Sequence, residues 1–236
     1  MQLPAEIRNM IYGHVLVQPN GVVRFGWRGS SNNNVVDMLS SMPGLLMANH
    51  QIRVEAQAVH FAQTRVELNL ADSVVRGCLD NLRRVNKGLR NRGASGDPLA
   101  DEGNPVHRVL QFHDILVCMR PIHLRWIPEQ LDTFLTAMQQ REKLPNTRLT
   151  LDLGRIFSWA NYTKYREENE KSGKKMLKML SSHLETSNVG LHLRYERVSG
   201  FKPTELLREF QALCDAHGIT LEAQGRHEGL GGLTWM

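Results

Sequence analysis

Apolar residues recur along this chain at two spacings, one helical and one typical of strands, and the two spacings alternate. Helical spacing predicts helices over residues 4–17, 43–62, 73–89 and 106–119. It predicts three more helices after these: one opens at Pro128, the next buries Leu177, Leu180 and Leu184, and the last opens at Pro203. Strict alternation predicts strands over residues 23–27, 64–70, 122–126, 149–153, 189–195 and from Ile219 onward. The chain is therefore predicted to be a series of strand–helix units.

This repetition predicts an α/β fold, in which right-handed crossovers build a largely parallel or mixed sheet. Strands that are buried on both faces are apolar throughout, whereas these strands alternate with polar residues. We therefore expect two layers, with helices on one face of the sheet and an open polar face on the other. The open face would carry Arg65, Glu67, Asn69, His123, Arg125, Arg148, Asp152, His192, Arg194, Glu196 and Glu222. It is either a solvated face held by cross-strand ion pairs or a recognition surface.

One segment interrupts this regular pattern because it is rich in Gly, Pro, Asp and Asn. It suggests an N-terminal region over residues 1–90, a flexible linker or insertion over 91–105, and a C-terminal strand–helix region over 106–236. We expect the two regions to pack as one globular unit, because a chain of 236 residues can form one large domain with a sizeable core.

Composition indicates a folded, reduced protein. Hydrophobic residues make up 41% and charged residues 22% of the chain, which is an ordinary globular balance. Cys78, Cys118 and Cys214 are odd in number, widely spaced and set in apolar patterns, as expected of buried thiols. No apolar run approaches the roughly 18 residues of a membrane span, and no secretory signal is recognisable. We expect an intracellular protein, of cytoplasm or nucleus, that does not enter a membrane.

The net charge of +5 modestly favours acidic partners. The densest cationic segment comprises Arg83, Arg84, Lys87, Arg90 and Arg92 at the end of a predicted helix. Cations at a helix C-terminus are stabilised by the helix dipole, so the segment has a purely structural interpretation. The alternative is a nucleic-acid-binding protein that uses this segment.

The motifs that usually announce catalysis or metal binding are missing from the sequence. It has no GxxxxGK phosphate loop, no GxGxxG before a helix, no CxxC pair, no HExxH and no GxSxG. We therefore predict a non-enzymatic protein with no catalytic residues, no cofactor and no metal site.

Two short segments of the N-terminal region carry a signature. The first is Leu3-Pro4-Ala5-Glu6-Ile7-Arg8-Asn9-Met10-Ile11-Tyr12, and the second is Leu45-Leu46 followed by Gln51-Ile52-Arg53-Val54-Glu55-Ala56. Together with the strand over 64–70, they resemble the fungal F-box-like family, whose members read LPxEIRNxIY and then QIRxEA. The resemblance extends from residue 3 to residue 70, and most members of that family are functionally uncharacterised.

The resemblance implies a role in protein–protein interaction. In true F-box proteins, the Leu-Pro segment opens a three-helix module that binds the Skp adaptor of a ubiquitin ligase. Carried over to this chain, the adaptor contacts would be Leu3, Pro4, Ile7, Ile11 and Val15. The turn and strand predicted after Val17 differ from the further helices of a true F-box.

The same signature also has a structural interpretation. Arg8 and Tyr12 are four residues apart and share one helix face. Arg53 and Glu55 flank the apolar stripe of the second helix and could pair with groups of the first, which would dock the two helices together. The apolar stripe of the first helix would then pack into the protein's own core. Buried Ile7 and Ile11 side chains would favour this interpretation, and exposed ones would favour adaptor binding.

Overall fold

The computed structural model describes residues 3–16, 22–25, 50–92, 104–119, 126–140, 147–154, 156–157, 166–186, 190–197 and 203–225. Within these ranges, seven helices and six strands follow one another. The helices are α1 (Ala5–Leu16), α2 (His50–Gln63), α3 (Ser73–Arg92), α4 (Pro105–Val109), α5 (Ile127–Gln140), α6 (Arg166–Thr186) and α7 (Glu205–His217). The strands are β1 (Val22–Phe25), β2 (Arg65–Asn69), β3 (Asp114–Cys118), β4 (Arg148–Asp152), β5 (Gly190–Arg197) and β6 (Thr220–Gly225).

The strands form one parallel sheet in which the spatial order β1 to β6 follows the chain order. Each crossover therefore moves to the next position in the same direction. Right-handed crossovers of this kind place the connecting helices on one face of the sheet. The α/β prediction is confirmed, and of the two alternatives, parallel or mixed, the described sheet is parallel throughout.

The register of the sheet aligns the apolar side chains in rows that face the helices. One row consists of Phe25, Leu68, Val117, Leu151 and Leu193, all of them buried. Helices α3 to α7 cover these rows with buried side chains that include Leu79, Val109, Phe134, Leu180 and Phe210. Each fully buried side chain of this size contributes about 1.5–3 kcal/mol, so this helix-covered face holds the main core.

The ends of two helices show why the chain turns where it does. The Thr204 hydroxyl accepts a hydrogen bond from the Leu207 amide at 3.2 Å and begins α7. Gly218 ends the same helix in the left-handed conformation, with φ of 64°, as its position in the sequence predicts. Asn104 caps the short helix α4 in the same way as Thr204, since its side chain accepts from the Val106 amide at 3.0 Å.

The prediction of one helix over residues 106–119 is wrong. The segment contains α4, a turn and then β3, whose residues Ile115 to Cys118 are all buried. Because β3 lies between β2 and β4 and is covered on both faces, it is apolar without alternation. A short run of this kind cannot be assigned to helix or strand from periodicity. The strand predicted over 122–126 falls largely on residues 120–125, outside the described residues, and Trp126 directly precedes α5.

Helices α1 and α2 form a small second core beside the main one. Tyr12 and Ala56 are buried against each other, and Ile52 and Val59 pack around them. Beyond this cluster, the ring of Phe61 near the end of α2 contacts Phe112 of the main core, with ring centroids 5.0 Å apart. Helix α1 is therefore connected to the sheet through α2.

The two predicted regions share one sheet, because β2 of the first pairs directly with β3 of the second. The interior of the predicted 91–105 linker, residues 93–103, lies outside the described residues. On either side of it, α3 extends to Arg92 and Asn104 begins α4.

Candidate interaction surfaces

The polar residues of the N-terminal signature meet at one carboxylate. Arg8 donates from Nε to Glu55 Oε2 at 2.8 Å and from Nη2 to Glu55 Oε1 at 3.0 Å. The Tyr12 hydroxyl donates to Oε2 at 3.2 Å, and Gln51 Nε2 donates to Oε1 at 3.0 Å. Both segments of the signature therefore contribute to the contact between α1 and α2, and the expectation that Glu55 pairs with the first helix is confirmed.

This contact favours the charged forms of Arg8 and Glu55 and the neutral form of Tyr12. The hydrogen bond from Arg8, followed by that from Gln51, lowers the pKa of Glu55 to about 2. The same bond raises the pKa of Arg8, and burial, helped by Glu55, raises the pKa of Tyr12. The side chains of Arg8 and Glu55 are each about one-quarter exposed, so their ion pair contributes modestly to stability. Its main effect is to fix the orientation of α1 against α2.

The apolar stripe of α1 lies on a different face of the helix from these contacts. Ile7 and Ile11 are 42% and 41% exposed, and Leu3, Pro4, Met10 and Val15 are exposed as well. Ile7 and Ile11 each directly precede a residue that contacts α2, and successive helix residues are about 100° apart. The helix docks with one face and presents another, so the expectation that Ile7 and Ile11 pack into the protein's own core is wrong.

The opposite face of the sheet carries ionisable side chains paired across neighbouring strands, as one of the two interpretations of that face expects. Nitrogen–oxygen distances of 2.9 Å join Arg24 to Glu67, Arg65 to Asp114 and Arg194 to Asp152, and a distance of 3.6 Å joins His192 to Glu222. Cross-strand pairs of this kind contribute roughly 0.2–1 kcal/mol each.

The polar face is not open along its whole width. Leu116, Cys118 and Thr150 point to this side of the sheet, in register with its charged residues, yet all three are buried. The accessible charged groups therefore lie around this buried centre, on the edge strands β1 and β6 and at Arg65 and Arg148, where β2 and β4 begin. His123 and Arg125, which were also predicted to lie on it, are outside the described residues.

Asp114 belongs to this face and was missed, because its strand was predicted to be part of a helix. The only signal for it in the sequence is a charged residue directly before the apolar run Ile115 to Met119. The structure pairs it with Arg65, while its Oδ1 atom is buried and has no hydrogen-bond partner among the described residues.

Of the two described side chains in the basic segment of α3, that of Arg83 is engaged within the fold. Arg83 donates to Glu129 Oε2 at 2.8 Å, and Lys175 donates to the other oxygen at 2.9 Å. These bonds, that of Lys175 first, lower the pKa of Glu129 and tie α3 to α5 and α6. Arg84 is exposed, and the side chains of Lys87, Arg90 and Arg92 lie outside the described part of the chain.

The described residues show no constellation typical of a catalytic centre. The strand order does not reverse, so the sheet lacks the switch point at which open α/β sheets bind ligands. A small recess between α5 and α6 is lined mainly by leucines and is partly open to solvent. In the described ranges, no three His, Cys, Asp or Glu side chains are placed to hold a metal ion. None of the helices described there is both long enough and apolar enough to cross a membrane.

The cysteines are shielded rather than activated. Burial raises the pKa of Cys214 to about 11 and also raises the pKa of Cys78, while Cys118 is buried in β3. A raised pKa disfavours the thiolate, which is the reactive form.

No protein-family model, curated protein or solved structure matches this chain.

Proposed function

We propose that this chain is a non-enzymatic, F-box-like interaction protein that docks a Skp-type adaptor through the exposed apolar stripe of α1. The supporting observation is that Ile7 and Ile11 are 42% and 41% exposed on a helix whose neighbouring face is tied to α2. A protein of this kind would recruit a partner to a ubiquitin ligase in the cytoplasm or nucleus.

The stripe has the form that a helix-binding groove recognises. Leu3, Ile7, Ile11 and Val15 follow one another at intervals of four residues and make a continuous apolar edge. These side chains are about half exposed, so covering each contributes about 1 kcal/mol at 25 cal/mol per Å². The tie between Arg8 and Glu55 holds the helix before the partner arrives, which lowers the entropic cost of binding.

The polar face of the sheet is the second surface in this proposal, and it would select the protein that is recruited. Its marginal charges are accessible, and they lie away from the helix-covered core. A surface with mixed charge gives specificity through complementary pairing more than through raw affinity.

The adaptor interaction can be tested by calorimetric titration of the purified chain with a purified fungal Skp adaptor. Ile7→Asp and Ile11→Asp should each weaken binding about tenfold or more, because each places a carboxylate in an apolar contact. Val54→Asp is the matched control, since Val54 is also an exposed apolar residue, at 54%, and directly precedes Glu55 on α2, away from the face that contacts α1.

Circular dichroism would confirm that the three variants remain folded. Failure of the unchanged chain to bind the adaptor would refute the proposal. An equal loss of binding in Val54→Asp would show that the stripe is not the contact surface.

A further inference from the structure

Three arginines lie at one side of the polar sheet face, and two of them are more exposed than the acids with which they pair. They are Arg24 of β1, Arg65 of β2 and Arg148 of β4, and we call this group the arginine corner. The Arg24 side chain is 55% exposed and its partner Glu67 only 16%, while Arg65 is 39% exposed and Asp114 30%. In both pairs the arginine is the more exposed member, so guanidinium groups contribute more of this surface than carboxylates do.

Arg148 is the arginine of this corner that has no side-chain partner among the described residues. It lies in the same row as Arg65 and Asp114, directly across from Asp114 in the neighbouring strand. Its exposed side chain forms no hydrogen bond or ion pair with any part of the chain that the structure describes. The described residues therefore engage none of the five guanidinium N–H donors of Arg148, and these donors can bind a ligand.

The far margin of the same face has the opposite arrangement. At β6, Glu222 is the more exposed member of its contact with His192. The sheet face thus presents guanidinium groups outermost at β1 to β4 and a carboxylate outermost at β6. A charged segment bound across this face would be attracted at one end of the face and repelled at the other. This difference would fix the orientation in which the segment binds.

We propose that the arginine corner binds an extended, acidic segment of the protein that this chain recruits. The inference rests on the proposed role as an interaction protein and specifies the chemistry of the recruited partner. Neighbouring strands are about 4.8 Å apart, so Arg65 and Arg148 are about 10 Å apart at their Cα atoms. An extended segment covers this distance in about three residues, and arginine binds carboxylates through paired, charge-assisted hydrogen bonds.

Fluorescence anisotropy with the full chain tests the proposal, using a fluorescein-labelled peptide of alternating Glu and Ser. The same peptide with Gln in place of Glu is the probe control. We expect binding of the Glu peptide only, weakened as salt is raised, because the screening length falls from about 10 Å at 0.1 M to about 3 Å at 1 M.

Arg148→Glu should weaken binding of the Glu peptide about tenfold, and Arg148→Gln should weaken it several-fold. Arg148→Gln removes the positive charge without placing a second carboxylate beside Asp114, so repulsion does not disturb the fold. A loss of peptide binding in this variant can therefore be assigned to the missing guanidinium group. Arg84→Glu is the matched control, because Arg84 is also an exposed arginine, lies on α3 and forms no ion pair within the described residues. It should bind the peptide like the unchanged chain.

Equal affinity for the Glu and Gln peptides would overturn the inference, and so would a loss of binding in Arg84→Glu but not in the Arg148 variants. Preferential binding of labelled single-stranded RNA, lost in Arg148→Glu, would assign the arginine corner to nucleic acid instead. Ile7→Asp should leave peptide affinity unchanged. The adaptor proposal and this inference can therefore fail separately.

Discussion

The contact between α1 and α2 depends on few side chains, so one substitution should release the helix while the sheet stays folded. Tyr12 is the central residue, since it is 4% exposed and also donates a hydrogen bond to Glu55. We compare Tyr12→Ala with Ile11→Ala, which removes an apolar side chain one position earlier on the same helix. Ile11 is 41% exposed and lies outside the contact.

The expected cost follows from these burials. A buried aromatic side chain removes about 150–250 Å² from water, which at 25 cal/mol per Å² sets an upper bound of about 4–6 kcal/mol. Allowing for this bound, we expect Tyr12→Ala to destabilise α1 docking by about 3 kcal/mol, including roughly 1 kcal/mol for the lost hydrogen bond. Ile11→Ala should cost well under about 1 kcal/mol, because a half-exposed side chain loses little contact.

Hydrogen–deuterium exchange read by mass spectrometry separates local from global loss. A loss of 3 kcal/mol corresponds to a factor of about 150, so amides of α1 should exchange up to about 150-fold faster in Tyr12→Ala, limited by full exposure. Amides of β4 should keep their protection in both variants. Equal acceleration in Ile11→Ala, or loss of protection in β4 upon Tyr12→Ala, would refute the view that α1 docks through one face as a separable unit.

Two further outcomes follow from the packing and the electrostatics. A Cβ at Gly173 would overlap the Leu206 side chain, so Gly173→Ala should lower stability by about 1 kcal/mol despite its gain in helix propensity. Gly77→Ala meets nothing within 4 Å and should raise stability by up to about 1 kcal/mol, which thermal unfolding of both variants would show. The pKa of Glu55 is lowered from 4.5 to about 2, so its stabilisation of α1 docking is complete above pH 4.5 and is lost as the pH falls through 2. Exchange of α1 amides, corrected for intrinsic rates, should show this loss in the unchanged chain and be independent of pH in Glu55→Gln; a flat profile in both would contradict it.

Periodicity alone predicted most of the elements that surround the core. Strands β2, β4 and β5 alternate cleanly because each has one apolar and one polar face, and this alternation is visible without any knowledge of their neighbours. The end of α7 at Gly218 is also a local feature, because the left-handed conformation of this glycine is rare for other residues. These features depend on short stretches of chain, and so they can be read locally.

The central strand β3 could not be predicted in this way. Its apolar run results from burial on both faces, and that burial depends on β2 and β4 lying beside it. The error removed Asp114 from the predicted polar face and left Arg148 without its neighbour in the row. The arginine corner therefore became visible only after the register was known.

The sequence by itself determined that this is an α/β chain with strand–helix repeats, and it identified the N-terminal signature together with the apolar stripe within it. It could not decide which face of α1 is covered, since Ile7, Arg8, Ile11 and Tyr12 fit either interpretation equally well. The tertiary structure decided this through Glu55, which lies 47 residues from Arg8 in the chain and draws Arg8 and Tyr12 toward α2. Helical periodicity specifies which side chains share a face, and only a partner distant in sequence specifies which face is buried.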